Sequence, residues 1–205
     1  MTDPREQLVA SARHLAARGL SPGSSGNLSL RTGATVLLTP TGSSLSRVLP
    51  EDLAEVALDD GRVLSGRPSK ELPLHLAVYA ERDASAVVHL HSPYATAIAC
   101  LPPAADGTAA LPPLTPYRVM RLGAVPVAPY AAPGSADLAD GVRRLAGAHA
   151  AMLLASHGPV AAAASLDAAV DLAEELETAA QLTLLTAGRG PVLLSADQVS
   201  ALWAH

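Results

Sequence analysis

Ala86-Val87-Val88-His89-Leu90-His91-Ser92-Pro93 is apolar up to its two histidines and closes on a serine–proline turn signal, the pattern of a short buried strand. The spacing predicts a strand over residues 86–91 and, beyond it, an alanine-rich helix over 93–100. Side chains at i and i+2 of a strand leave from the same face, so His89 and His91 converge. Two titratable rings buried side by side are unfavourable unless something compensates, and a divalent cation held by neutral imidazoles does so directly. The spacing leaves two readings open: a metal-binding pair, or one histidine bonded into the core with the other exposed.

Upstream of this stretch, Asp3, Pro4 and Glu6 give the N-cap, first-turn proline and capping-box acid of a helix that carries Leu8, Ala12 and Leu15 and stops at Gly19. Residues 27–31 and 35–39 flank Thr32-Gly33, and residues 54–58 and 62–64 flank Asp59-Asp60-Gly61, so two hairpins are expected. Ser69 can cap a helix over 70–80 in which Leu72, Leu76 and Tyr79 share a face, with Pro73 tolerated in the first turn. Downstream, residues 101–116 hold five prolines and a glycine and are read as loop. Strands are predicted over 125–128, 151–155 and 159–163, and helices over 136–145, 166–186 and 196–203. The longest of these has Asp167 and Asp171 near its positive end and an apolar stripe of Ala169, Leu172, Ala173, Leu176 and Ala180. Interleaved strands and helices with early hairpins predict a single α/β domain over residues 1–205, one mixed sheet with helices on both faces.

The chain has 205 residues with 49% hydrophobic and 16% charged, which excludes an intrinsically disordered class. A net charge of -5 and a pI near 5.7 have the wrong sign for a phosphate-backbone binder, and aromatics at 2% leave few stacking platforms. Nucleic acid is therefore not an expected partner. Cys100 is the sole cysteine, which excludes an internal disulfide and a four-cysteine zinc site, and it reads as a small buried hydrophobe. The opening MTDPREQ is unlike a secretory n-region and no stretch has the length of a membrane span, so a cytoplasmic protein with no membrane partner is expected.

A third ligand for the HLH pair has to come from elsewhere, and His157 is the best candidate, because it ends the apolar strand AMLLASHG at a glycine turn. By itself it also reads as a polar turn residue. His14 and His149 read as surface positions on helices, His205 is terminal, and His75 packs on the face of its helix. Gly26-Asn27, Thr39-Pro40-Thr41-Gly42 and Pro68-Ser69-Lys70-Glu71 are small polar turns whose backbone N–H groups and hydroxyls suit phosphate, the third opening a helix with a favourable dipole. Each alone also reads as a plain turn, and Glu71 as a complement to that dipole.

Taken in order, GSSGNLSLR, LLTPTGSSL, PSKELPLH, AVVHLHSPYATA, PLTPY, VPVAPYAAPGS, LLASHGPV and EELETAAQL resemble the class II aldolase and adducin head family over nearly the whole chain. PSKE, HLHS, LPPLTPYRVMRLG and SHGPV look closest to its 3-oxo-tetronate 4-phosphate decarboxylases. The resemblance implies a three-layer α/β/α fold around a central mixed sheet, often assembled as a homotetramer, with one zinc ion per chain held by His89, His91 and His157. It implies that Glu71 is the acid/base carboxylate, able also to sit on the metal. It places Gly26, Asn27, Thr41, Gly42, Ser69 and Lys70 in the substrate-phosphate pocket. Tyr117 aligns with a catalytic tyrosine that in aldolases is supplied by a neighbouring subunit to act on the aldehyde half of the substrate, and Arg121 is a candidate carboxylate contact.

The implied reaction is the metal-dependent decarboxylation of a phosphorylated sugar acid, a 3-oxo-tetronate 4-phosphate, to dihydroxyacetone phosphate and carbon dioxide through a metal-bound enediolate. A Lewis-acidic cation takes up the electron density left by carbon dioxide, Glu71 exchanges the proton, and the phosphate turns orient the reacting end. An aldolase acting on fuculose or ribulose phosphate passes through the same enediolate, and a methylthioribulose-phosphate dehydratase shares the fold. Both stand as alternatives. A non-catalytic adducin-like interaction head is a third reading, against which the three histidines and Glu71 argue.

Overall fold

Strand β5 (Ala86–His89) lies at the centre of an eight-stranded sheet in the computed structural model, which describes residues 3–203. Before it come α1 (Pro4–Ala17), β1 (Asn27–Thr32), β2 (Thr35–Leu38), β3 (Ala54–Ala57), β4 (Val63–Ser65) and α2 (Leu72–Glu81). After it come α3 (Pro93–Ala99), a short π-helical turn at Arg118–Leu122, β6 (Val127–Ala128), α4 (Ala136–Ala146), β7 (Ala151–Leu154), β8 (Gly158–Ala163), α5 (Leu166–Thr186) and α6 (Ala196–Ala201). The sheet order is β4-β3-β2-β1-β5-β8-β7-β6, antiparallel throughout except for the parallel β6–β7 pair. It is a mixed sheet, as expected.

Strand alternation decides which helix each residue meets. Leu28, Leu30, Ala86, Val88 and Leu90 point into a core shared with Leu8 and Leu15 of α1, Ile98 of α3 and Leu172 and Leu176 of α5. Val36, Val87, Met152 and Val160 point the other way, onto Leu74 and Val78 of α2 and Leu138 and Val142 of α4. The result is a three-layer α/β/α sandwich. Ser165 caps α5 by accepting a hydrogen bond from the Ala168 N–H, and the whole predicted stripe from Ala169 to Ala180 is buried. Glu177 of that helix, also buried, accepts the N–H groups of Tyr94 and Ala95, so a carboxylate from α5 satisfies the open N-terminus of α3.

Several sequence expectations are corrected here. Helix α2 starts two residues later than expected, and Ser69 accepts the Glu71 N–H rather than capping the helix itself, which leaves Glu71 at the N-cap position. Its buried face carries Leu74, His75, Val78 and Tyr79, while Leu72 and Leu76 are only partly covered. Strand β5 ends at His89, two residues early, and α6 ends at Ala201 rather than at residue 203. Cys100 is exposed just past the end of α3. His14 is exposed and pairs with Glu174, whereas His149 lies beyond the end of α4; His205 is outside the described residues. No helix among the described residues is long and apolar enough to cross a membrane.

Candidate active site

The register of the sheet brings the site together before any side chain does. Asn27 of β1 and Val160 of β8 both pair with His89, so β5 is flanked at its C-terminal end by the first turn residues of one neighbour and the turn carrying His157 on the other. His157 follows Ser156, whose φ of 54° is a left-handed conformation that costs a non-glycine residue energy. The next residue, Gly158, packs so closely on the chain just past β5 that an added Cβ would overlap the Leu90 carbonyl oxygen. Strand β8 can therefore approach between the two histidines of HLH only because that position has no side chain.

Glu71, His89, His91 and His157 present one ligand atom each within 4.8 Å of one another. The three imidazole centroids are 4.8 to 5.0 Å apart, with each ring steeply inclined to the others. His89 Nε2 is 3.2 Å from His91 Nε2 and 3.3 Å from Glu71 Oε2, and His157 Nε2 is 3.2 Å from Glu71 Oε1. Ligand atoms on a tetrahedral cation with bonds of about 2.0–2.1 Å stand about 3.3–3.4 Å apart, so these spacings suit a metal between them. His89 Nδ1 lies 2.9 Å from the Pro159 carbonyl and donates to it, which leaves the Nε2 lone pair facing the cage. Both ring nitrogens of His157 and Glu71 Oε1 are buried without a hydrogen-bond partner. Orphaned buried polar atoms are expensive, and a divalent cation would satisfy those that face the cage. The residues fit such an ion.

The electrostatics agree. Burial, reinforced by the neighbouring His89 and His157, draws the His91 imidazole down to about 4, so the ring is neutral and its lone pair available at neutral pH. Burial pushes the Glu71 carboxyl upward, but the closeness of His157 and His89 and the Asn27 amide outweigh it and hold the acid well below the usual carboxylate range. Glu71 is a buried carboxylate.

The three turns singled out as anion cradles line one cavity of about 380 Å³ together with Glu71, His91 and His157. Gly26, Asn27, Thr41, Gly42, Ser69 and Lys70 all contribute to its wall, with Ser24, Ser25 and Pro133 beside them. His89 does not line the cavity; it is fully buried, with Nε2 3.3 Å from Glu71 Oε2. Asn27 is committed more tightly than a phosphate ligand need be, since its side chain donates to Glu71 Oε2 at 2.8 Å. Tyr117 lies outside this cavity, exposed at the start of the π-helical turn, with the Arg121 guanidinium 5.8 Å from its ring centroid. Arg121 faces Asp171 at 3.8 Å and borders a different cavity, away from the histidines.

Sequence reasoning gave no part in the site to three buried polar residues behind it: Ser29, His75, read only as packing on the face of its helix, and Tyr79, read only as part of an apolar face. A signal was present. Glu71, His75 and Tyr79 recur at i, i+4 and i+8, one stripe of a helix, and Asn27 and Ser29 alternate with Leu28 and Leu30 on a strand buried on both faces.

A central mixed sheet carrying a three-histidine, one-carboxylate cluster that fits a divalent cation, beside a polar, glycine-lined cavity, is the arrangement of an α/β lyase of the class II aldolase type. The sequence profile described as Class II Aldolase and Adducin N-terminal domain matches residues 6–184, and the chain belongs to that family. The chain is 42% identical to the 3-oxo-tetronate 4-phosphate decarboxylase of Pectobacterium atrosepticum, over 97% of this chain and 91% of the relative. Among solved structures, YgbL of Klebsiella pneumoniae is 43% identical and superposes with a TM-score of 0.91, covering 97% of this chain and 96% of the other. The L-fuculose-1-phosphate aldolase of Thermus thermophilus is more distant, at 32% identity and a TM-score of 0.80, covering 92% of this chain and 98% of that one.

Proposed function

We propose that residues 1–205 form one catalytic domain, a cytoplasmic carboxy-lyase that decarboxylates a 3-oxo-tetronate 4-phosphate to dihydroxyacetone phosphate and carbon dioxide. The single observation that carries this reading is the convergence of Glu71 and three histidines at the end of a cavity walled by the phosphate-type turns. The 42% identity to a 3-oxo-tetronate 4-phosphate decarboxylase over 97% of the chain selects the reaction among those the fold can host.

Gly26, Asn27, Thr41, Gly42, Ser69 and Lys70 hold the substrate phosphate, and their binding energy orients the other end of the molecule toward His91, His157 and Glu71. His89, His91 and His157, joined by Glu71 when no substrate is bound, hold one divalent cation, zinc by its preference for three imidazoles and an open position. When bound, that cation would supply Lewis acidity at the oxygen-bearing end of the substrate. The bond between C1 and C2 breaks, its electron pair moves toward the C3 carbonyl, and carbon dioxide leaves. Glu71 then passes a proton, drawn from solvent, to C2 of the enediolate and yields the ketose phosphate. Tyr117 has no aldehyde oxygen to serve in this reaction, and we assign it a place at a subunit boundary of a homotetramer, facing a neighbouring site.

The test is a product analysis. The purified protein, loaded with zinc, is incubated with a 3-oxo-tetronate 4-phosphate and, separately, with fuculose 1-phosphate or ribulose 1-phosphate. Carbon dioxide and dihydroxyacetone phosphate are expected from the first and little aldehyde from the others. Efficient aldehyde release without decarboxylation would assign the chain to the aldolases instead.

A further inference from the structure

A line of hydrogen bonds runs from Glu71 away from the cavity and into the core, through residues that are all buried. Asn27 Nδ2 lies 2.8 Å from Glu71 Oε2, and Asn27 Oδ1 meets His75 Nε2 at 2.5 Å. On the far side of the imidazole, His75 Nδ1 is 2.7 Å from Ser29 Oγ, which is 2.8 Å from the Tyr79 hydroxyl. The direction of every bond follows from its end. An ionised carboxylate only accepts, so Asn27 turns its NH2 to Glu71 and its oxygen to His75. His75 Nε2 must then carry the ring proton, which leaves Nδ1 bare to accept the Ser29 hydroxyl, and Ser29 in turn accepts from Tyr79. A reversed chain would set the Asn27 oxygen against the Glu71 carboxylate.

We propose that His75, Ser29 and Tyr79 are positioning residues for the reaction, a one-way hydrogen-bond chain that locks the Asn27 amide with its donor edge toward Glu71. The chain anchors Oε2 and leaves Oε1, which takes no hydrogen bond from the chain and faces His157 Nε2 at 3.2 Å in the cage, as the oxygen that moves the proton. Residues that orient a working carboxylate from behind matter nearly as much as the carboxylate, because an angular error at the reacting atom is multiplied into rate. The chain also explains why a strand buried on both faces carries Asn27 and Ser29. Each polar group there is satisfied by its neighbour, and removal of one leaves the next unpaired.

The inference rests on Glu71 as the proton-moving group, and two readouts separate it from the choice of substrate. The first is the tautomer of His75, read from side-chain 15N shifts of the wild-type protein both stripped of metal and loaded with zinc. The ring should carry its proton on Nε2 in both forms; a proton on Nδ1 would overturn the chain whatever the enzyme's substrate. The second is steady-state kinetics of Ser29→Ala, expected to lose about 10–100-fold in kcat with KM for the phosphorylated substrate within about twofold and zinc content unchanged. Tyr79→Phe keeps the ring packing and should show the same pattern in weaker form, which carries the test if Ser29→Ala fails to fold. Wild-type kcat in both variants, or a loss that falls on KM alone, would show that the chain serves only packing or phosphate binding.

Discussion

Glu71→Gln exchanges one carboxylate oxygen for an NH2 group and removes a charge at a residue only 4% exposed. Asn27 Nδ2 donates to Oε2 across 2.8 Å, so the new amide keeps its oxygen there. The NH2 then replaces Oε1, 3.2 Å from His157 Nε2, where a lone pair used to be. On the proposed function two losses follow: the group that exchanges a proton with carbon, and the fourth ligand of the resting metal cage. Loss of general acid/base catalysis lowers turnover by about 10²–10⁴-fold, or about 3–5 kcal/mol at 1.36 kcal/mol per tenfold. The three imidazoles remain, so the metal binds more weakly but still binds. The phosphate turns are untouched, and KM should change little. The assay is carbon dioxide release under saturating substrate, with elemental analysis of the same preparation. Turnover within about threefold of wild type would reduce Glu71 to a residue that opens a helix. Complete loss of metal together with turnover would assign it to ligation rather than proton transfer.

His89→Ala or His91→Ala should remove bound metal and activity together, checked by elemental analysis after dialysis and by loss of turnover that added zinc does not restore. Ser69→Ala and Lys70→Ala should each raise KM for phosphorylated substrate several-fold, and a comparison with an unphosphorylated analogue, which should change little, tests whether these residues meet the phosphate. Gly158→Ala drives a methyl group against the Leu90 carbonyl and should cost about 1–3 kcal/mol of unfolding free energy with reduced metal occupancy, read by denaturant titration and metal analysis. Burial lowers His75 to about 3, with His89 adding to the shift and Glu71 opposing it, so below the ordinary histidine value the unfolded chain binds a proton that the native chain refuses. This contribution to stability is complete above about pH 6.5 and is lost as the pH falls toward 3, at about 1.4 kcal/mol per unit within that window. Unfolding titrations at pH 7 and 5 should show a drop of about 2 kcal/mol from this residue, and His75→Gln should show a shallower slope.

Elements with strong local punctuation were legible in the sequence to within a residue or two. Helix α5 spans Leu166–Thr186 as expected, because the acidic first turn and the apolar stripe agree, and the structure adds a cap at Ser165. Hairpins were legible for the same reason. What local pattern could not supply was the order of the strands, since β5 inserts between β1 and β8, distant in sequence, and only the sheet register brings Asn27 and Val160 to His89. The π-helical turn at Arg118–Leu122 also escaped notice, because it follows a proline-rich loop and has neither a side-chain cap nor a full turn of apolar spacing.

The candidate site divides along the same line. His89, His91 and His157 could be nominated from strand ends and spacing, and the three turns from their glycines and hydroxyls, because each signal is local. On α2, His75 reads as packing on the helix face, but the partners that bury it could not be read that way. Apolar spacing favoured Leu72, Leu76 and Tyr79, yet the helix buries His75 completely and leaves the two leucines partly covered. Apolar counting fails where a buried polar residue finds its partner on another element, since the penalty for burying it then disappears. His75 is buried between Asn27 and Ser29, residues more than forty positions earlier in the chain. A helix face in this fold is therefore chosen by two energies, the transfer of leucines from water and the closure of a polar chain, and at α2 the second has the deciding weight. The sequence sign of such a choice is a polar stripe at helical spacing, here Glu71, His75 and Tyr79, opposite a strand whose polar residues alternate on the inner side.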